Sequence, residues 1–556
     1  MVRTWWKEGV VYQIYPRSFR DSDGDGVGDL RGIIEKLDYI ASLGANIVWL
    51  NPIYASPNYD NGYDISDYER IMDEFGTMAD FDELLRGFHS RGIRLVMDLV
   101  VNHSSSAHPW FLESRRSVDS PKRGYYIWRK GVDGGPPNNW RACFTGPAWE
   151  YDEASGEYYL HLFAPQQPDL NWENPALRSE IYSMMRRWFA RGVDGFRMDV
   201  INVISKDPSY RDLAEGETMF STTAPYVYGP RLHEFIREMR REAIGDRDVM
   251  TVGETPGSTV EKAIELVGEG RGELDMLFQF ELMDVDCEGD KWHRRPLDLV
   301  AMKRIIERWQ TGLHGVAWNS NFLMNHDQPR SVSRFGNDGA YRSASAKALL
   351  ALNLSLGGTP YVYQGEELGM TNSKWEGVGD FRDLDSINYY REAVAAGADE
   401  GEVMDSLRYM SRDNSRTPMQ WGPGPNAGFT SGEPWIGVNP NYRDINAAAE
   451  EGDPQSVLHF ARRMIRFRKE HLALVYGRFE LVAPEDPALF AFTMDDGAER
   501  LLFAANMSEE PRGIPRAEEA GGRSSRSLEP LLSSLGDGRP AGTHLAPWEA
   551  RIWRLV

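Results

Sequence analysis

Eight short runs rich in β-branched and aromatic residues recur along this chain, at residues 10–16, 46–52, 93–103, 193–201, 249–254, 274–280, 322–327 and 359–366. Amphipathic stretches such as 30–43 and 81–91 lie between most of them. Strand–helix alternation repeated about eight times predicts an α/β fold, the closed parallel (β/α)8 or TIM barrel. Reactive side chains in such a barrel stand where strands end and loops begin. The fourth run carries Asp199 near its end, and the fifth and seventh end in Glu254 and Asp327. Three carboxylic acids at one end of a barrel suit acid–base and nucleophilic chemistry on sugars.

The chain has 556 residues, and a bare barrel needs only about 250. Strand three ends near residue 103 and strand four starts near 193, a gap far longer than ordinary barrel connections. Residues 104–171 are therefore expected to form a small inserted domain overhanging the strand ends, with the barrel occupying 1–103 and 172–478. A second long, polar insertion, rich in Gly and Pro toward its end, is expected over 369–434. Alternating strands from 479 to 556 predict a C-terminal antiparallel β-sandwich domain. Residues 509–528 within it resemble a loop.

Net charge is −22, which repels phosphate backbones and anionic lipid. Nucleic acid and membrane are excluded as partners, and a neutral small-molecule substrate, an oligosaccharide or disaccharide, is favoured. No apolar run reaches the 18 residues of a membrane span. The first residues lack a secretory apolar core. A cytoplasmic enzyme, monomeric or weakly homo-oligomeric, is expected. The two cysteines, Cys143 and Cys287, lie in no metal spacing and are expected to be reduced, packed thiols.

Arg197 and Asp199 are two residues apart, so on a strand they share a face. A cation there would hold the carboxylate ionised, as a nucleophile requires. A structural ion pair at the barrel mouth explains the same pattern equally well. Glu254 ends an apolar run after Gly253, which permits close approach of a ligand or backbone. A carboxyl in a partly apolar pocket can act as general acid, although alone it is equally a surface Glu. Asp327 adjoins His326, a couple able to bind vicinal hydroxyls or simply to cap a loop. Asp98 and His103 are five apart, so a regular strand points them to opposite faces, Asp98 to the scaffold and His103 to the pocket. Residues 21–29, Asp-Ser-Asp-Gly-Asp-Gly-Val-Gly-Asp, carry Asp21, Asp23, Asp25 and Asp29 around glycines. With the Val27 carbonyl they make an oxygen-rich loop suited to Ca²⁺. Gly32 stands where an EF-hand would place its bidentate Glu, and a metal-free Gly–Asp turn is the other reading.

Asp98-Leu-Val-Val-Asn-His, Gly195-Phe-Arg-Met-Asp-Val, Val252-Gly-Glu and Asn325-His-Asp, in this order, resemble the four motifs of the α-amylase superfamily, glycoside hydrolase family 13. Tyr59-Asp-Asn-Gly-Tyr-Asp-Ile, Gln167-Pro-Asp-Leu-Asn-Trp, Tyr363-Gln-Gly-Glu-Glu-Leu-Gly and Arg412-Asp-Asn-Ser-Arg-Thr-Pro-Met-Gln-Trp resemble its oligo-1,6-glucosidase and α-glucosidase branch. Sucrose isomerases and trehalose-6-phosphate hydrolases belong to the same branch. The resemblance implies Asp199 as nucleophile, Glu254 as acid and then base, and Asp327, with His103 and His326, as stabiliser of the distorted sugar ring. It implies that Arg197 orients Asp199, that Tyr63 stacks on the glucose, and that Asp60 and Arg412 pair to close the pocket. Phe144, Phe163 and Gln167 would complete the wall.

In this branch Val after the nucleophile, here Val200, goes with α-1,6 and sucrose-type substrates, and Thr or Ala with α-1,4. Thr255 departs from the larger Met usual after the acid in oligo-1,6-glucosidases. Isomerases carry an Arg-Leu-Asp-Arg-Asp segment after strand seven, which residues 330–338 lack, so hydrolysis is expected. The resembling enzymes hold a structural Ca²⁺ or Mg²⁺ in the 21–29 loop, and no organic cofactor is implied. Non-catalytic relatives that serve as transporter subunits carry a membrane helix and lack some of these acids, unlike this chain.

Overall fold

The computed structural model describes residues 2–218, 221–516, 527–536 and 542–556. Eight short strands form the barrel: Val11–Ile14 (β1), Ile47–Leu50 (β2), Arg94–Leu99 (β3), Gly195–Met198 (β4), Met250–Glu254 (β5), Met276–Phe278 (β6), Ser320–Asn321 (β7) and Thr359–Tyr363 (β8). They pair in parallel in the order β6-β5-β4-β3-β2-β1-β8-β7, and a bridge between Leu277 and Asn319 closes the ring. Nearly every strand residue is buried, because helices cover the outside and side chains fill the inside. That is why these runs are apolar without alternation.

Capping signals set the helices that aim the strands. Thr77 and Asp80 cap Met78–His89 reciprocally. Asn174 caps Pro175–Arg191, which stops at Gly192 in the left-handed region (φ 111°) and feeds β4. The amphipathic stretch expected at 30–43 is two helices, Leu30–Glu35 and Leu37–Leu43, meeting at Lys36.

Strand seven differs most from expectation. It covers only Ser320–Asn321, so Asp327 lies on the loop beyond it rather than at a strand end. The backbone has left the ladder by then: the His326 carbonyl accepts from Ser415 and Arg416, and Asn325 Oδ1 accepts from the Asp327 N–H at 2.8 Å.

Between β3 and β4 lie the helix Pro109–Ser114 and a three-stranded antiparallel sheet of Trp128–Arg129, Glu157–Leu160 and Trp149–Asp152. Bridges from His103 to Asp169 and from Tyr126 to Leu170 return the chain to the end of β3. The polar stretch after β8 carries two helices, Leu384–Ala395 and Glu400–Met410, around a buried cluster that includes Trp375, Phe381, Leu407 and Ile436.

At the C-terminus, strands Arg478–Val482, Leu489–Asp495, Arg500–Asn506, Ala550–Leu555 and Leu528–Ser533 form one antiparallel sheet in that order. Phe490, Phe492 and Phe503 face the barrel core. Ala491, Leu502 and Trp553 face the other way, with Leu545 of a short ribbon, Arg512–Gly513 and His544–Leu545. Of the expected loop at 509–528, Arg512–Gly513 is strand, Leu528 opens another, and 517–526 lie outside the described residues. Both cysteines are free, and Cys287 is buried, but Cys143 is exposed rather than packed. Among the described residues no helix is long and apolar enough to cross a membrane.

Candidate active site

Arg197 is the hub of the site. Strand register sets it opposite Asp98 of β3 and Val252 of β5, and only 1% of it is exposed. Its Nη1 donates to Asp98 Oδ1 at 2.7 Å and to Asp199 Oδ1 at 2.8 Å, and its Nη2 pairs with Glu254 Oε2 at 2.7 Å. Asp199 follows the end of β4, with its N–H held by the Leu99 carbonyl at 3.0 Å. Glu254 is the last residue of β5.

The Arg197 charge favours an ionised Asp199, as expected, and crowding works against it. Burial, which the Arg197 charge opposes, together with repulsion from Glu254 and Asp98, holds the Asp199 pKa well above the usual carboxylate range. One guanidinium serves three carboxyls, those of Asp98, Asp199 and Glu254. Gly253 also has a different reason from the one expected. A Cβ there would stand 2.6 Å from Leu274 and 2.9 Å from Ile201, so the glycine admits packed side chains rather than a ligand.

Strand parity assigns Asp98 to the scaffold, yet it sits against Arg197. Parity fails because β3 ends at Leu99, and the chain to His103 is no longer a strand. Asp98 Oδ2 also accepts from the Tyr63 hydroxyl at 2.9 Å. That hydroxyl contacts His326 Nε2 at 2.7 Å, and the Tyr63 ring stacks on His326 with 5.2 Å between centroids. Gln13 Nε2 donates to His326 Nδ1 at 2.9 Å, which leaves Nε2 facing Tyr63 and, at 3.0 Å, Asp327.

Asp327 also pairs with Arg412 at 3.2 Å and Arg416 at 2.7 Å. Burial would raise its pKa, but His326, Arg412 and Arg416 outweigh burial and hold it well below the usual range. Asp60 accepts from Arg412 at 3.1 Å, forming the expected pair, and from Gln167 at 3.1 Å. The Arg412 guanidinium lies 4.8 Å from the centre of the Phe144 ring. Phe144 meets Phe163, and Phe163 meets His103 at 5.0 Å. Burial pushes His103 down to about 4, so it is neutral near pH 7. Its Nε2 lies 3.0 Å from the Tyr63 carbonyl. Val200 follows Asp199 with 7% exposure, and the Thr255 hydroxyl donates to the Phe278 carbonyl at 3.0 Å. The predicted catalytic and sugar-binding residues thus form one contiguous cluster.

Asp383 is the residue that sequence reasoning missed. It is fully buried, takes Arg412 Nε at 2.8 Å and Nη2 at 2.6 Å, and lies 3.9 Å from Arg416. It is also the N-cap of Leu384–Ala395. An Asp three residues before a Ser at a helix start was the only local signal, and it announces a cap rather than a site. Arg416, which holds Asp327, was likewise passed over.

In the 21–29 loop, carboxylate oxygens of Asp21, Asp23 and Asp29 lie within 4.8 Å of one another. Asp25 is outside this trio, and its Oδ1 accepts the Val27 N–H at 2.8 Å. The loop is docked on the segment near 430, where the Thr430 hydroxyl donates to Asp21 and Phe429 O accepts from the Asp21 N–H at 3.1 Å. Three convergent carboxylates fit a hard divalent cation.

Residues 13–477 match the family model described as alpha amylase, catalytic domain. The chain is 53% identical over 562 residues to an oligo-1,6-glucosidase of Parageobacillus thermoglucosidasius, covering 100% of both. It is 49% identical to a trehalose-6-phosphate hydrolase of Bacillus subtilis (strain 168), over 90% of this chain and 89% of that one. The crystal structure of an isomaltulose synthase from Klebsiella sp. LX3 superposes with a TM-score of 0.96 at 42% identity, covering 100% of both chains. The match across the barrel and the full-length identity agree with the charge cluster at its strand ends: this chain belongs to the α-amylase family, glycoside hydrolase family 13.

Proposed function

We propose that this protein is a retaining, exo-acting α-glucosidase that hydrolyses α-1,6 bonds at the non-reducing end of isomaltose and short isomalto-oligosaccharides. The observation that carries the reading is the pairing of Asp199 and Glu254 with neighbouring nitrogens of one guanidinium. An inverting pair stands about 6.5–9.5 Å apart to admit a water between its carboxyls, whereas a retaining pair is about 5–5.5 Å apart. Two carboxyls sharing Arg197 favour the retaining case.

In the first step an Asp199 oxygen bonds to the anomeric carbon as the glycosidic C–O bond breaks and Glu254 gives its proton to the departing oxygen. In the second, Glu254 takes a proton from water, the water oxygen bonds to the anomeric carbon, and the ester to Asp199 breaks. Asp327, held by His326 and Arg416, would meet the ring hydroxyls. The joint of Asp60, Arg412 and Asp383 closes the far wall, which supports action at chain ends. Val200 beside the nucleophile, and relatives named oligo-1,6-glucosidase, support the α-1,6 preference. Asp21, Asp23 and Asp29 would hold Ca²⁺ or Mg²⁺, which would pin the first barrel loop.

Initial rates on isomaltose, sucrose, maltose, trehalose and trehalose 6-phosphate, with products resolved by chromatography, test the reading. Fast glucose release from isomaltose with little from maltose is expected. Preference for maltose or trehalose 6-phosphate, or isomerised disaccharide from sucrose, would overturn the substrate and keep the chemistry.

A further inference from the structure

The turn after Asp199 runs against backbone preference. Val200 has φ 35° and ψ 44°, the left-handed region, where a β-branched side chain crowds its own backbone and glycine or asparagine is the usual occupant. Strain of this kind persists only where surrounding contacts impose it. The Val200 side chain belongs to a buried apolar cluster with Phe144, Phe163 and Val203. Its carbonyl accepts the Val203 N–H at 3.0 Å, and its own N–H donates to Glu254 Oε2 at 3.2 Å. The angle φ sets the direction of the N–H relative to the side chain. The left-handed value lets one face Glu254 while the other faces the apolar wall.

Glu254 Oε2 also pairs with Arg197 Nη2 at 2.7 Å. Among the described residues both nitrogen contacts of Glu254 fall on Oε2, and the neighbouring carboxyl is that of Asp199. An oxygen that accepts an N–H and pairs with a guanidinium nitrogen is the poorer place for a proton.

We infer that the Val200 backbone N–H is a positioning group for Glu254: with Arg197 it keeps Oε2 unprotonated and leaves Oε1 as the oxygen that exchanges protons with substrate and water. The inference deepens the reading of Glu254 as acid and base, and rests on it. The charged groups facing Glu254 are Arg197 and Asp199 from the β4 end, and Asp98 of β3 through the same guanidinium. From β6, its register partner is the uncharged Phe278. A donor to the carboxylate favours the ionised form, so its removal extends the protonated form to higher pH.

Replacing Val200 by its α-hydroxy acid turns this amide into an ester, removing one N–H and keeping the side chain. On the best substrate of the rate series, the basic limb of kcat/KM is expected to move up by about half to one pH unit. A limb at the native position overturns the inference. A second measurement uses the intact enzyme labelled with ¹⁵N-valine, the Val200 amide signal being identified by its loss in Val200→Ile. Its shift should follow pH with the midpoint of the basic limb and should move in Glu254→Gln. A signal indifferent to both overturns the inference even if the ester enzyme does not fold. A Glu254→Gln enzyme with native rates would instead overturn the catalytic reading beneath it.

Discussion

At the scale of single residues, the site trades stability for reactivity. A folded-state pKa raised as that of Asp199 is means a contribution to stability that is complete below the unfolded Asp value, about 3.9, and lost as pH rises through the folded value. At pH 7, above the unfolded value, Asp199 therefore weighs against folding, while Arg197 still has Asp98 and Glu254. Asp199→Asn is expected to lower kcat about 10⁴-fold or more and to raise Tm at pH 7 by about 1–3 °C. Calorimetry beside single-turnover kinetics decides it, and a fall in Tm of several degrees would refute the electrostatic argument. The acids themselves were legible because Asp199 and Glu254 close apolar runs. Their shared guanidinium was only half legible. Asp98 enters it through a strand that stops one residue later, and parity counted across a strand end carries no information.

At the scale of elements, the pocket is assembled by segments whose sequence looks like ordinary loop. Asp327 comes from the stretch beyond a two-residue strand, and Arg412 and Arg416 come from a strap after Glu400–Met410. Arg330 ties the two together, donating to the Asn414 carbonyl at 3.2 Å and the Ser415 carbonyl at 3.1 Å. Such ties join residues far apart in sequence, and no periodic pattern announces them. Asp383 grips Arg412 with charge-assisted bonds worth about 1.5–3 kcal/mol. Asp383→Asn should thus cut kcat/KM about 10–100-fold, mainly through KM, because Arg412 keeps Asp60 and Asp327 but loses its aim. A drop in kcat alone would contradict this. The 21–29 loop is an element of another kind, a docking peg whose proposed ion touches no site residue. Chelation is expected to lower Tm by about 2–6 °C, restored by Ca²⁺ or Mg²⁺, with kcat at 25 °C unchanged. Loss of kcat on chelation would place the ion in the chemistry instead.

At the scale of the whole molecule, the barrel and the C-terminal sheet share one core. The change from helical to alternating patterning near residue 478 was visible in sequence, but the dependence between the two parts was not, because it resides in which face each strand turns inward. Phe479, Phe490, Phe492 and Phe503 point into the barrel's cluster. Opposite them lies the helix Arg342–Ser355, in which every residue from Ser345 to Ser355 is buried. Lys303 crosses the junction to donate to the Ala483 carbonyl at 2.9 Å and the Asp486 carbonyl at 2.7 Å. Uncovering a buried aromatic or aliphatic side chain costs about 1.5–3 kcal/mol, and four at this junction already approach the total stability of a typical fold, about 5–15 kcal/mol. A chain ending at residue 477 retains every group of the proposed site. It is nonetheless expected to be insoluble, or to melt far below the intact enzyme, and the intact enzyme should unfold in one transition. A soluble truncated protein with near-native Tm and activity would show the sheet to be an accessory rather than half of a common core.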